Sequence, residues 1–470
     1  MKRMIWFSLL ILILMMFFNS FREVPNVHSQ VLIQCSDLET IFSDTSGNAD
    51  TKPAAIVTDP SGAAHLFWLN QQNRNDTSTW SIYYSHWQDG QWSAPTDVLI
   101  TPGGGAGAPR VVYHPEGRLQ VIWGDQRNLW HSSAYANQAN SAQFWSKPEL
   151  IASEVIDYDI AVNLTGVLHV VYANGKPAGP LFYLNSIDGK FWSQPIPILI
   201  SSPLEVTPNI PRISIDGKGR IHVVWTEYQL PGGWPPTGFK YIQSEDSGFT
   251  WVNELPLGIG EQGQGTVLAV GDDQIHIVWR GSSAAGNSYH QYSADGGKSW
   301  IGPEIFDPDG GFSGGQSLAL DSAGNIHLVR SDGGYQIWRN GLWSPVPALF
   351  ADSGEIGTLA IGLGNQVHWV NTTPASDKNG FVWHRLCVSD SPSISSQMIP
   401  TKNPDNLPNV TSTYQFESSA SQLSNTSIPE FSRDINPPSS IGGPILFGAG
   451  FVIVFITLVF IINFYIGRNR

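Results

Sequence analysis

Two eight-residue phrases stand about fifty residues apart in this chain: "SEDSGFTW" at 244–251 and "SADGGKSW" at 293–300. Both read Ser-x-Asp-x-Gly-x-x-Trp. A second phrase recurs upstream of such turns, an apolar run that usually carries a His near its start. It is written "GAAHLFW" (62–68), "GRLQVIW" (117–123), "GVLHVVY" (166–172), "GRIHVVW" (219–225), "DQIHIVW" (273–279), "GNIHLVR" (324–330) and "NQVHWVN" (365–371). A chain that repeats itself at this period builds an array, a solenoid or a propeller from like modules.

The module can be parsed. In residues 208–257, "PRISID" reads as a short strand and "GKG" as a turn. "RIHVVWTE" is a second strand, "TGFKYIQS" a third, "EDSGFTW" a turn, and "VNELPL" opens a fourth. Four short strands per repeat match a propeller blade. The second strand is apolar on both sides of its alternation, as expected where neighbouring blades cover both faces of a sheet. The expectation is an all-β, seven-bladed propeller over residues 30–388, with six blades plus an odd segment as the alternative.

The last repeat offers only three strands: "GTLAIGL", "NQVHWVN" and "GFVWHRLCV". The missing fourth is available in "VLIQCSDLETIF" (31–42), which would close the ring and remove its exposed edges. The two cysteines of the chain, Cys35 and Cys387, fall in these two stretches. In an oxidising compartment a bridge between them would staple the ring. Closing so long a loop stabilises by about 4–5 kcal/mol in the chain-entropy account.

The repeated turn resembles the Asp-box, or BNR repeat, of sialidase-type propellers. Ser244, Asp246, Gly248 and Trp251 fit it, as do Ser293, Asp295, Gly297 and Trp300; "SIDGKFW" (186–192) is one residue short. In that family the box is a structural turn between the third and fourth strands. Its Ser and Asp bond nearby backbone, Gly relieves the turn and Trp packs beneath it. The Asp residues are expected to hold turns and not a metal, since a calcium loop needs more carboxylates in alternation. His65, His169, His222, His276, His327 and His368 share one blade position. Equivalent places in a ring do not converge, so these imidazoles are expected to be structural. No cofactor is implied.

The resemblance places the ligand face at the loops opposite the Asp-boxes. Those loops hold Arg110, Arg127, Arg212, Arg280 and Arg330, together with Trp234. Guanidinium forks bind carboxylates bidentately and aromatic faces suit sugar rings, so this set is expected to bind ligand, an acidic sugar foremost. Sialidases add a Tyr nucleophile with a Glu and an Asp acid/base, and glycosidases in general need two carboxyl roles. Candidates here are Asp125, Glu227 and Tyr228.

Composition bears on the partner. The net charge of −14 excludes the basic footprint that nucleic acid requires. Lys2 and Arg3 followed by an apolar run mark residues 1–29 as a signal peptide. Residues 389–441 are rich in Ser, Thr, Pro and Asn, without an apolar period, and read as an extended stalk. Residues 442–467 suffice to cross a bilayer as a helix, and Arg468 and Arg470 would remain cytoplasmic. The expectation is a single-pass membrane protein whose propeller lies outside the cytoplasm and recognises a glycan or other surface ligand. A sialidase-like hydrolase and a protein-interaction scaffold are the alternatives.

Overall fold

The computed structural model describes residues 33–390 apart from 48, 72–79, 102–106, 199, 201–203, 231–232, 234, 258–262, 282–285, 308–315, 331–333, 347–356 and 373–378. The chain divides into Met1–Pro400 and Thr401–Arg470, and the second unit lies wholly outside the described residues. So do the expected signal peptide, nearly all of the expected stalk and the expected membrane span. Among the described residues no helix is long and apolar enough to cross a membrane.

Seven antiparallel sheets follow one another along the chain. Blade 1 is Ala55–Thr58, Ala64–Gln71, Ser81–Gln88 and Thr96–Ile100. Blade 2 is Arg110–His114, Arg118–Asp125, Asn128–Tyr135 and Glu149–Ser153, and blade 3 is Asp157–Val162, Leu168–Ala173, Leu181–Ser186 and Ile196–Ile198. Blade 4 is Val206–Ile215, Ile221–Gln229, Pro236–Ser244 and Val252–Leu257, and blade 5 is Gly263–Val270, Gln274–Gly281, Ser288–Ser293 and Ile301–Asp307. Blade 6 is Gln316–Leu320, Ile326–Arg330, Tyr335–Arg339 and Leu342–Val346. Blade 7 takes Thr358–Gly362, Gln366–Thr372 and Gly380–Ser389 from the end of the propeller, and Glu39–Asp44 and Ile33–Cys35 from its start.

The first strands of successive blades touch in sequence, and that of blade 7 touches that of blade 1, so the ring is closed with seven blades and not six. Both N-terminal strands pair antiparallel with Gly380–Ser389, Cys35 lies opposite Cys387, and the two form a disulfide. The two ends of the propeller are thus joined within one blade, as the incomplete last repeat requires.

The second strands are the buried spine. Every residue of Ala64–Gln71 is buried, and Trp68, Trp123, Trp225 and Trp279 recur there, fully enclosed. These β-branched and aromatic runs have neighbours on both sheet faces, and each apolar cluster spans two adjacent blades.

The recurrent turns link blades as well as strands. Ser244 Oγ accepts from Gly248 N at 2.8 Å and donates to Asp246 Oδ1 at 2.9 Å, while Asp246 Oδ1 accepts from Thr250 N at 2.8 Å. Ser293, Asp295 and Gly297 repeat the pattern, and the shorter Ser186 turn does too, with Asp188 accepting from Lys190 N and Phe191 N. The Trp that closes each turn reaches back to the preceding blade. Trp251 packs edge-on to Tyr183, Trp300 to Tyr241, Trp192 to His131 and Trp343 to His290. Across the ring closure, Trp92 of blade 1 donates from Nε1 to His384 Nδ1 of blade 7 at 3.0 Å.

The repeated histidines are buried in this same layer. The hydroxyl of Tyr84 lies 2.8 Å from His65 Nδ1, with Asp59 Oδ2 at 3.4 Å from His65 Nε2. His222 with Tyr241 and Asp216, and His327 with Tyr335 and Asp321, repeat the trio. His276 and His368 instead meet His290 and His384. Each such residue joins its second strand to its third, the structural role expected of it.

Candidate functional site

The seven innermost strands surround a central cavity of about 480 Å³, at the end where those strands begin. This volume lies within the range of small-ligand pockets. The end is the one opposite the Ser-Asp-Gly-Trp turns. Every blade contributes lining residues, among them Ala55, Arg110, Asp159, Arg212, Gln264, Gln316 and Thr358.

Four charged side chains line the cavity among the described residues: Arg110, Asp157, Asp159 and Arg212. Strand alternation explains the acids. Asp157 and Asp159 lie two residues apart on the first strand of blade 3 and so share a face. Tyr158 between them points the other way, into a slot formed by Gly107 and Gly124 of blade 2. Its hydroxyl donates to Ala108 O at 2.8 Å and accepts from Gly124 N at 2.5 Å. A Cβ on either glycine would strike the Tyr158 ring or hydroxyl. Tyr158 thereby pins the strand that presents the two carboxyls.

A bulge presents Arg212. The register of Val206–Ile215 against Ile221–Gln229 slips between Asn209 and Arg212. Ile210 there takes φ 52°, a left-handed conformation costly for a β-branched residue, and Asn209 Oδ1 accepts from Ile210 N at 2.8 Å. Arg212 Nη1 then donates to Asp157 Oδ1 at 3.1 Å and to Pro211 O at 2.7 Å. Asp159 Oδ2 accepts from Ile213 N at 3.1 Å, and its Oδ1 stands 3.9 Å from Arg110 Nε. Two acids of blade 3 therefore hold an arginine from each flanking blade.

The electrostatics follow from burial and this pairing. Burial pushes the Asp159 carboxyl above its usual range, although Arg110 and Arg212 oppose it. Burial, aided by the like charge of Arg212, brings Arg110 down. Arg212 is held above its ordinary value, because Asp157 and Asp159 outweigh the cost of burying it. The set carries two positive and two negative side chains, so the wall is polar without a dominant sign.

Arg127, Arg280, Arg330, Asp125, Glu227 and Tyr228 are not among the lining residues of this cavity. Arg127 is at a hairpin tip of blade 2, exposed, 3.3 Å from Glu154. Arg280 is buried at the end of its strand with its guanidinium against Gly286, and Arg330 is buried against Asp307. Trp234 falls outside the described residues. Asp125 is buried in blade 2, where Trp130 Nε1 donates to it at 3.3 Å and burial raises its carboxyl. Glu227 is buried beside Lys240 at 3.1 Å. Tyr228 accepts from Gln264 Nε2 at 2.7 Å; burial raises its hydroxyl, with the charge of Asp157 adding to the rise and that of Arg212 opposing it. Asp125, Glu227 and Tyr228 do not line the cavity, and of the five arginines only Arg110 and Arg212 do. Asp157 and Asp159 stand inside a strand, not in the stretches, read as loops, that hold the residues expected from the sequence. Their signal was legible in "IDYDIAV" as two acids at strand spacing in an apolar run.

No family model matches the chain, and no curated protein matches it. Solved structures do match in fold. One is an ulvan lyase of polysaccharide lyase family PL25, with 14% identity and a TM-score of 0.51 over 73% of this chain and 95% of that one. Another is the BP39L lectin from Burkholderia pseudomallei, with 14% identity and a TM-score of 0.51 over 73% of this chain and 96% of that one. At this identity the likeness concerns the fold.

Proposed function

We propose that this chain is a carbohydrate-recognising propeller, displayed outside the cytoplasm on its stalk and C-terminal membrane span. The observation that carries the reading is the convergence of Arg110, Asp157, Asp159 and Arg212 on one cavity at the axis of the ring. Paired charged side chains of this kind hold a sugar through several hydrogen bonds at once, because they offer donors and acceptors in fixed geometry. That one solved propeller of like fold is a lectin and another a polysaccharide lyase supports the reading. The signal-like start and the apolar end of the sequence support extracytoplasmic display.

The function is binding without turnover. Asp125, Glu227 and Tyr228, the residues expected to act on a glycosidic bond, do not line the cavity, and Asp125 and Glu227 are buried in their own blades. The test uses the purified full-length protein and its Arg212→Ala variant. Wild type should bind immobilised glycans, and Arg212→Ala should lose at least about tenfold in affinity, the worth of roughly one charge-assisted hydrogen bond. Neither should release the fluorophore from a fluorogenic sialoside. Release that depends on Arg212 would replace binding by hydrolysis. Equal binding by the two proteins would move the site off the cavity.

A further inference from the structure

We infer that the cavity takes an uncharged, polyhydroxylated ligand, a neutral sugar ring, and discriminates against sugar acids. The inference rests on the carbohydrate reading above and reverses the expectation that free arginines clamp a carboxylate. Arg212 is not free. Its Nη1 is shared between Asp157 Oδ1 at 3.1 Å and the carbonyl of Pro211 at 2.7 Å. Arg110 faces Asp159 Oδ1 at 3.9 Å, the looser of the two pairings. A carboxylate entering here would compete with Asp157 for Arg212 and leave that acid without its cation. It would also add a third negative group to a wall that already holds two, and carboxylates only accept hydrogen bonds.

A hydroxyl meets no such conflict. It donates to an aspartate and accepts from an arginine in the same position, so it can sit between Asp157 and Arg212 without parting them. The rest of the polar wall has the same dual character. Ser317 and Thr358 line the cavity, and the register of their blades sets them in the place that Asp159 holds in blade 3. A hydroxyl side chain both donates and accepts, the complement of a sugar hydroxyl and not of an anion.

The test is a glycan array that carries neutral glycans alongside their sialylated and uronate-containing counterparts. It is probed with the full-length protein in a detergent without a sugar headgroup. Wild type should bind neutral glycans at least tenfold more tightly than their acidic counterparts. Thr358→Val should weaken neutral binding at least tenfold while the thermal midpoint holds. Asp157→Asn should lose neutral binding and gain acidic binding, because it releases the Arg212 fork; Thr358→Val carries the test if Asp157→Asn does not fold. Preference of wild type for acidic glycans would overturn the ligand class and leave the carbohydrate reading standing. An array silent for both classes would overturn the two together. Unchanged neutral binding by Thr358→Val would overturn the role given to the cavity wall.

Discussion

Gly248 illustrates how one residue carries two constraints. It sits at φ 91°, where side chains are strained, and an added Cβ would run into the ring of Tyr183 in the preceding blade. Gly248→Ala should therefore cost about 2–4 kcal/mol, above the usual penalty for a left-handed alanine, because the turn can relax only by pushing a buried Tyr out of place. Urea unfolding of the two proteins checks this. A loss under about 1 kcal/mol would mean that the blades part easily. Ile210 and Arg212 show the converse at the site, where a strained left-handed residue inside a bulge turns the next-but-one side chain toward Asp157. Gly248 was legible from its motif. The bulge was not, because it arises where a strand must meet two neighbours, and nothing in "TPNIPR" specifies those neighbours.

Among elements, the turn between third and fourth strands does more than pin a hairpin. Trp300 stacks edge-on to Tyr241 with ring centroids 4.9 Å apart, so the turn of blade 5 is part of the wall of blade 4. Trp300→Ala should destabilise by about 2–4 kcal/mol through lost burial and the lost aromatic pair. The loss should be larger than for Trp300→Phe, which keeps a ring in the gap. Equal losses, measured by denaturant titration, would mean that the indole does not bridge the blades. This coupling explains why the phrase recurs at blade spacing, since every interface of the ring needs a plug. The sequence indicates the turn and its Trp, whereas the blade that receives the Trp depends on the direction in which the ring winds.

At the scale of the whole molecule, the ring encloses a layer of neutral imidazoles. Burial lowers His169, His276 and His368 to about 4, and lowers His131, His290 and His384 to about 3. The unfolded chain takes up these protons near pH 6.5, and the folded chain only well below that. Between those values the unfolded state binds more protons, so stability is full above about pH 6.5 and falls as the pH drops toward 4. Asp59, held at about 2 even though burial opposes it, by its bonds to His65 and Ser61, adds a further loss at lower pH still. The thermal midpoint should fall progressively from pH 7 to pH 5, by about ten degrees or more for a layer of this size. A flat midpoint over that range would show that these histidines are reached by water.

The sequence alone determined the repeat, the four-strand module, the closure of blade 7 by residues from both ends and the pairing of Cys35 with Cys387. These rest on periodicity and turn chemistry, which are local and are written once per blade. It also placed Arg110 and Arg212 at the end of the ring opposite the Ser-Asp-Gly-Trp turns, where they line the cavity. Only the tertiary structure decided that Arg127, Arg280 and Arg330 do not line the cavity, that Asp125 and Glu227 are enclosed in their blades, and that Asp157 and Asp159 face Arg212 and Arg110. Convergence at the axis joins residues from strands of different blades, and it depends on ring curvature and one bulge. No local pattern encodes those two, because they come from packing all seven sheets at once.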